Sequence, residues 1–130
     1  MTDLEEAQRR LPAARCSEHA ARQMATFHQD FVAEVKQLVA DSDIVVVGMA
    51  QNPVVTKARK LLDDAALPYA YIGHGSYFSG YRKRLAVKLW SGWPWFPQVF
   101  VRGTLIGGAS DLAAELEHDT LRKRLATPRS

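Results

Sequence analysis

Apolar positions along the chain fall into two rhythms. From Met24 they recur every three or four residues, at Phe27, Phe31, Val35, Leu38 and Val39, which is the period of one helix face. Glu18 to Asp41 is rich in helix formers, and Ser17 is a favoured cap in front of it. The spacing predicts one long helix over 18–41, docked through that stripe, with a further helical stretch from residue 3 broken at Pro12. After Asp43 the rhythm changes. Ile44-Val45-Val46-Val47 is an unbroken β-branched run, as expected for a strand covered on both faces.

The alternation continues to the end of the chain. Pro53 to Ala66 reads as a helix with Val54, Val55, Ala58, Leu61 and Leu62 facing inward, stopped by Leu67-Pro68. Tyr69 to Ile72 reads as a second strand, Gly73-His74-Gly75 as a loop, and Tyr77 to Leu89 as a basic amphipathic helix in which Tyr77, Phe78 and Tyr81 pack. Ser91 to Pro94 is a turn. Gln98 to Val101 and Thr104 to Ile106 are two strands joined by the tight turn Arg102-Gly103. Gly107-Gly108 breaks the last strand, and Ser110 caps a final helix from Asp111 to about Ala126. The order α-β-α-β-α-β-β-α implies one parallel pair made by a right-handed crossover, then a hairpin. The predicted fold class is α/β, with a four-stranded mixed sheet flanked by helices. The expected division is an N-terminal helical extension over 1–41, an α/β domain over 42–126 and a frayed tail over 127–130.

Composition narrows the setting. A chain of 130 residues, 47% hydrophobic and 24% charged, is one ordinary soluble domain with a core that needs no staples. Cys16 is the single cysteine, so no internal disulfide forms and a reducing compartment follows. No apolar run reaches transmembrane length, and MTDLEEAQRRL lacks the apolar core of a signal peptide. The expectation is a cytoplasmic protein with no membrane contact. The net charge of +3 gathers at Lys57-Arg59-Lys60, at Arg82-Lys83-Arg84 with Lys88, and at Arg122-Lys123-Arg124. These are solvated helix faces or attractors of small anions. No nucleic-acid motif accompanies them, so nucleic acid is not an expected partner.

Three separated segments carry the chemical signal: Gln51-Asn52-Pro53-Val54-Val55-Thr56-Lys57-Ala58 after the first strand, Ser91-Gly92-Trp93-Pro94-Trp95-Phe96-Pro97-Gln98-Val99-Phe100-Val101, and Gly107-Gly108-Ala109-Ser110-Asp111-Leu112. In order and spacing they resemble the active-site, S-x-W-P-T-x-P-Q and G-G-x-x-D stretches of the glutaredoxin family, over about residues 43 to 116. Arg84 and Lys88 stand upstream as in its monothiol branch. The resemblance implies a thioredoxin/glutaredoxin fold with a glutathione groove. It implies that Phe96–Pro97 is cis, so that the Phe96 backbone pairs with the cysteine residue of glutathione or with another extended peptide. It assigns the γ-glutamyl end to Gly108, Ser110 and Asp111, and the glycine carboxylate to Arg84 or Lys88. Read without the resemblance, Pro97 is an ordinary trans turn proline, Ser110 a plain cap, and the two cations a solvated face.

The departures from the family pattern bear on activity. Asn52 stands where the family carries its reactive cysteine and Val55 where it carries the second. An amide forms neither thiolate nor mixed disulfide. Met49 replaces a lysine and Trp95 the threonine of W-P-T. Locally, Asn52-Pro53 is also a well-formed helix start. Cys16, beside Arg15 and one turn before His19, is a candidate displaced thiol, against the plainer role of a small buried hydrophobe. No metal-ligand set is apparent, and an iron–sulfur cluster is disfavoured because its cysteine ligand is missing. The expectation is therefore a redox-inactive module that needs no cofactor and holds glutathione or an extended peptide. The alternatives are a glutathione-dependent thiol–disulfide oxidoreductase with residual activity, and a structural protein that meets partners through Trp95 or the N-terminal helix.

Overall fold

The computed structural model describes residues 11–49, 52–73 and 80–128. A 3-10 turn at Ala13–Arg15 leads into α1 (Glu18–Thr26) and α2 (Gln29–Asp41). Then come β1 (Ile44–Gly48), α3 (Pro53–Asp64), β2 (Ala70–Gly73), α4 (Tyr81–Ser91), β3 (Gln98–Val101), β4 (Thr104–Gly107), α5 (Ala109–Glu117) and α6 (Thr120–Leu125). The sheet order is β2-β1-β3-β4. β1 and β2 are parallel, with Gly48 opposite Gly73, and the other two pairings are antiparallel.

The β-branched run explains the layering. Side chains alternate across a strand, so Ile44 and Val46 enter one core and Val45 and Val47 the other. The first core joins Val99 and Val101 to Ala58 and Leu62 of α3, Ala109 and Leu112 of α5 and Leu121 of α6. The second joins Phe100 to Phe31, Val35 and Val39 of α2 and Val87 of α4. Each fully buried Leu or Val contributes on the order of 1.5–3 kcal/mol relative to solvent. Arg59 brackets α3 to β2. Its guanidinium lies 4.0 Å from the Tyr71 ring centroid and its Nε donates to the Tyr69 hydroxyl at 3.3 Å. That hydrogen bond pushes its pKa above the usual arginine value. Arg102, in the β3–β4 turn, donates from its backbone to Asp43 and from Nη1 to the Leu125 carbonyl at 2.8 Å, closing α6 onto the sheet.

Several expectations are corrected. The helix over 18–41 is two helices, separated at His28 in left-handed conformation with φ 46°. Only the second half of the stripe docks: Phe31, Val35 and Val39 are buried, while Met24 is exposed and α1 buries nothing. Burial sets the direction of α2, and α1 has no such constraint. Val54 points to solvent rather than inward, and so does Tyr81. The last helix is also two, broken at Asp119 (φ 61°), which lets Leu121 turn into the first core. Ser110 is not the cap. The helix begins at Ala109, because Ala109 and Leu112 enter the core three residues apart and so turn Ser110 outward. The expected helix over 3–10, the loop at His74-Gly75, Tyr77, Phe78 and the final Arg129-Ser130 lie outside the described residues.

Candidate functional site

Strand register gathers the three motifs at one end of the sheet. Gly48 ends β1, its neighbour Val47 lies opposite Gln98 at the start of β3, and Gly107 at the end of β4 lies opposite Val99. The start of α3, the loop before β3 and the double-glycine corner therefore meet at the carboxyl end of the parallel pair. Crossover topology leaves helix starts and loops there.

Asn52 caps α3 with extended backbone (φ −99°, ψ 115°) and Pro53 as the first helical residue. Its Oδ1 accepts from the backbone N–H of Val54 at 2.9 Å and of Val55 at 3.1 Å. Those are the donors a helix start leaves unpaired and turns toward negative charge. Val55 is buried behind the cap, close under Gly48, where an added Cβ would stand 2.5 Å from Val55 Cγ1. The valine has thus become part of the core, and the requirement for Gly48 follows from it. Spacing alone showed neither fact.

The loop before β3 is anchored by Gln98. That side chain is fully buried, and its Nε2 donates to the Trp93 carbonyl at 2.9 Å. Its Oε1 and Trp93 Nε1 are buried without a hydrogen-bond partner among the described residues. Phe96–Pro97 is cis, as the resemblance implied. Lys88 Nζ lies 5.4 Å from the Phe96 ring centroid. Arg84, by contrast, is buried at 7% exposure and already interacts within the chain. Lys88 is thus a cation placed beside Phe96.

The double-glycine corner lies against this loop. An ideal Cβ on Gly108 would come 3.5 Å from the Pro97 carbonyl oxygen and 4.0 Å from Trp93 Nε1. Asp111 reaches back so that its Oδ2 accepts from the Gly108 N–H at 2.9 Å, and a Cβ on Gly107 (φ 121°) would collide with that carboxylate. One N–H expected to face a ligand is therefore taken by the chain itself. Ser110 is exposed on the first turn of α5. Trp95 stands out at 66% exposure, while Trp90 stacks on Phe100 with centroids 5.7 Å apart. Cys16 is half-buried, its Sγ 3.7 Å from the Pro12 carbonyl.

A mixed four-stranded sheet of this order between two helical layers, with a cis proline in the loop before β3, is the architecture of a thioredoxin-type domain. A glutaredoxin-like protein of Dictyostelium discoideum is 42% identical over 105 residues, 81% of this chain and 85% of its own length. A glutaredoxin of Ricinus communis is 29% identical over 82 residues, 63% of this chain and 80% of its own. The chain belongs to the glutaredoxin family. No protein-family model matches it. Among solved structures, a buckwheat glutaredoxin–glutathione complex superimposes with a TM-score of 0.66 at 23% identity, over 78% of this chain and 92% of that one. Oxidized glutaredoxin 2 from Chlamydomonas reinhardtii gives 0.66 at 25% identity, over 76% and 94%.

Proposed function

We propose that this chain is a redox-inactive, monothiol-like glutaredoxin, in which Asn52 replaces the reactive cysteine and the groove serves binding in the cytoplasm. The carrying observation is the Asn52 cap. Its oxygen occupies both amides at the start of α3, the groups that would otherwise stabilise a thiolate. Val55, at the second thiol position, is a core residue.

The groove residues suit a zwitterionic tripeptide. Lys88 beside Phe96 offers a cation to the glycine carboxylate, with Arg84 behind it. The Phe96 backbone before Pro97 offers peptide pairing. Asp111 with Gly108 and Ser110 offers an anion and small-residue clearance to the γ-glutamyl amino end. The buckwheat relative was solved with glutathione, which supports the same ligand here. Trp95, at 66% exposure, favours a protein partner at the rim, since exposed Trp anchors interfaces.

Isothermal titration with glutathione tests the proposal. Saturable heat in the millimolar range is expected, together with no mixed-disulfide reduction above buffer, and Cys16→Ser changes neither. Silence toward both glutathione and a cysteine-containing peptide removes the binding role. Turnover by the native chain removes the inactivity.

A further inference from the structure

The outer face of α4 is apolar where a surface helix is ordinarily polar. Tyr81, Leu85 and Leu89 are 56%, 42% and 58% exposed. They lie four residues apart and so share one helical stripe. Arg84, Ala86 and Val87 face inward. At 3.6 residues per turn, Arg82 borders the stripe on one side and Lys88 on the other. α4 carries no acidic residue, and its first turn holds cations where the helix dipole disfavours them. Lys83 and Arg84 interact within the chain. Arg82 lies beside Tyr81, its Nε donating to the hydroxyl at 3.3 Å, and Lys88 lies beside Phe96, so each rim cation flanks an aromatic ring at the edge of the stripe.

We propose that this face is a docking site for an acidic amphipathic helix of a partner protein. Such a helix would present leucine-type residues at four-residue spacing to Tyr81, Leu85 and Leu89, with Glu or Asp on its flanks. Burying the stripe supplies the affinity. The flanking acids meet Arg82 and Lys88 and relieve the unfavourable charge on the first turn of α4. A second copy of this chain would set cations against cations, so self-docking is disfavoured. Lys88 also borders the proposed groove through Phe96, whereas Tyr81, Leu85, Leu89 and Arg82 lie outside the residues assigned to glutathione, so peptide docking is measured independently of glutathione binding.

The test is fluorescence anisotropy of the full chain with a labelled helical peptide carrying Leu at positions i, i+4 and i+8 flanked by Glu. Saturable binding is expected, weakened by added salt because the rim pairs are exposed. It should fall at least about tenfold for Leu85→Asp, since a central apolar contact outweighs its neighbours, and severalfold for Arg82→Glu. A thermal melt and a far-ultraviolet circular dichroism spectrum matching the parent show that Leu85→Asp is folded. If that variant misfolds, Leu89→Ser replaces it. Equal binding of a scrambled peptide, or indifference to both leucine substitutions, overturns the proposal. So does a preference for anionic phospholipid vesicles over the peptide, or sedimentation showing dimers that Leu85→Asp dissolves.

Discussion

Replacing Asn52 separates two uses of the same pair of amides. In the native chain its Oδ1 accepts from Val54 and Val55 at 2.9 and 3.1 Å. Asn52→Ala leaves both donors without the cap and should cost about 1 kcal/mol, within roughly 0.5–2. For a domain of this size that lowers the midpoint of thermal unfolding by about 3–5 °C. Asn52→Ser keeps an acceptor and should stay within a few tenths of a kcal/mol of the parent. Asn52→Cys offers the vacated amides to a thiolate, whose pKa should fall below about 8.5. The assays are a thermal melt for all three variants, and the pH profile of alkylation plus glutathione-dependent disulfide reduction for the cysteine variant. A folded Asn52→Cys chain with an alkylation midpoint at or above 8.5, or with no reductase activity, refutes the idea that sulfur alone is missing from this site. Equal melts for Asn52→Ala and Asn52→Ser refute the cap.

Other substitutions probe the supports of the site. Gly48→Ala should cost about 1–3 kcal/mol by crowding Val55; in the Gly48→Ala/Val55→Ala pair the losses should be less than additive in urea melts, and strict additivity would show that the two do not meet. Asp111→Ala frees the Gly108 N–H and should weaken glutathione binding while changing stability by about 1 kcal/mol or less; unchanged titration heat would remove Asp111 from the ligand set. Arg102→Ala loses the bond to the Leu125 carbonyl and should raise amide exchange in α6 ahead of β1 and β3, whereas uniform exchange would mean that α6 does not open separately.

Much of the architecture was legible in the chain. Ile44 to Val47 read as a strand apolar on both faces, because the run is short and β-branched, and the order of elements implied one parallel crossover and one hairpin. The motif around Pro97 and the double glycine pointed to the candidate site through the family resemblance, and the cis bond at Phe96–Pro97 and the approach of Gly108 to Pro97 agree with it. Helix breaks were less legible. His28 and Asp119 are not breakers by type, and their left-handed turns exist because Phe31 and Leu121 are drawn to different parts of the core. The same competition moved the cap from Ser110 to Gly108, since burying Ala109 and Leu112 outweighs a hydroxyl cap.

Alone, the sequence determined which residues stand at the helix start after β1, and therefore that no sulfur is there. It also determined the strands, because period-2 and β-branched patterns are properties of neighbouring residues. Tertiary structure decided which side chains are spent on the chain's own needs: Arg84 drawn inside, Asp111 turned onto the Gly108 amide, Val55 wedged beneath Gly48, and Leu85 and Leu89 left in water. Those outcomes depend on contacts between distant segments, and no local pattern contains them.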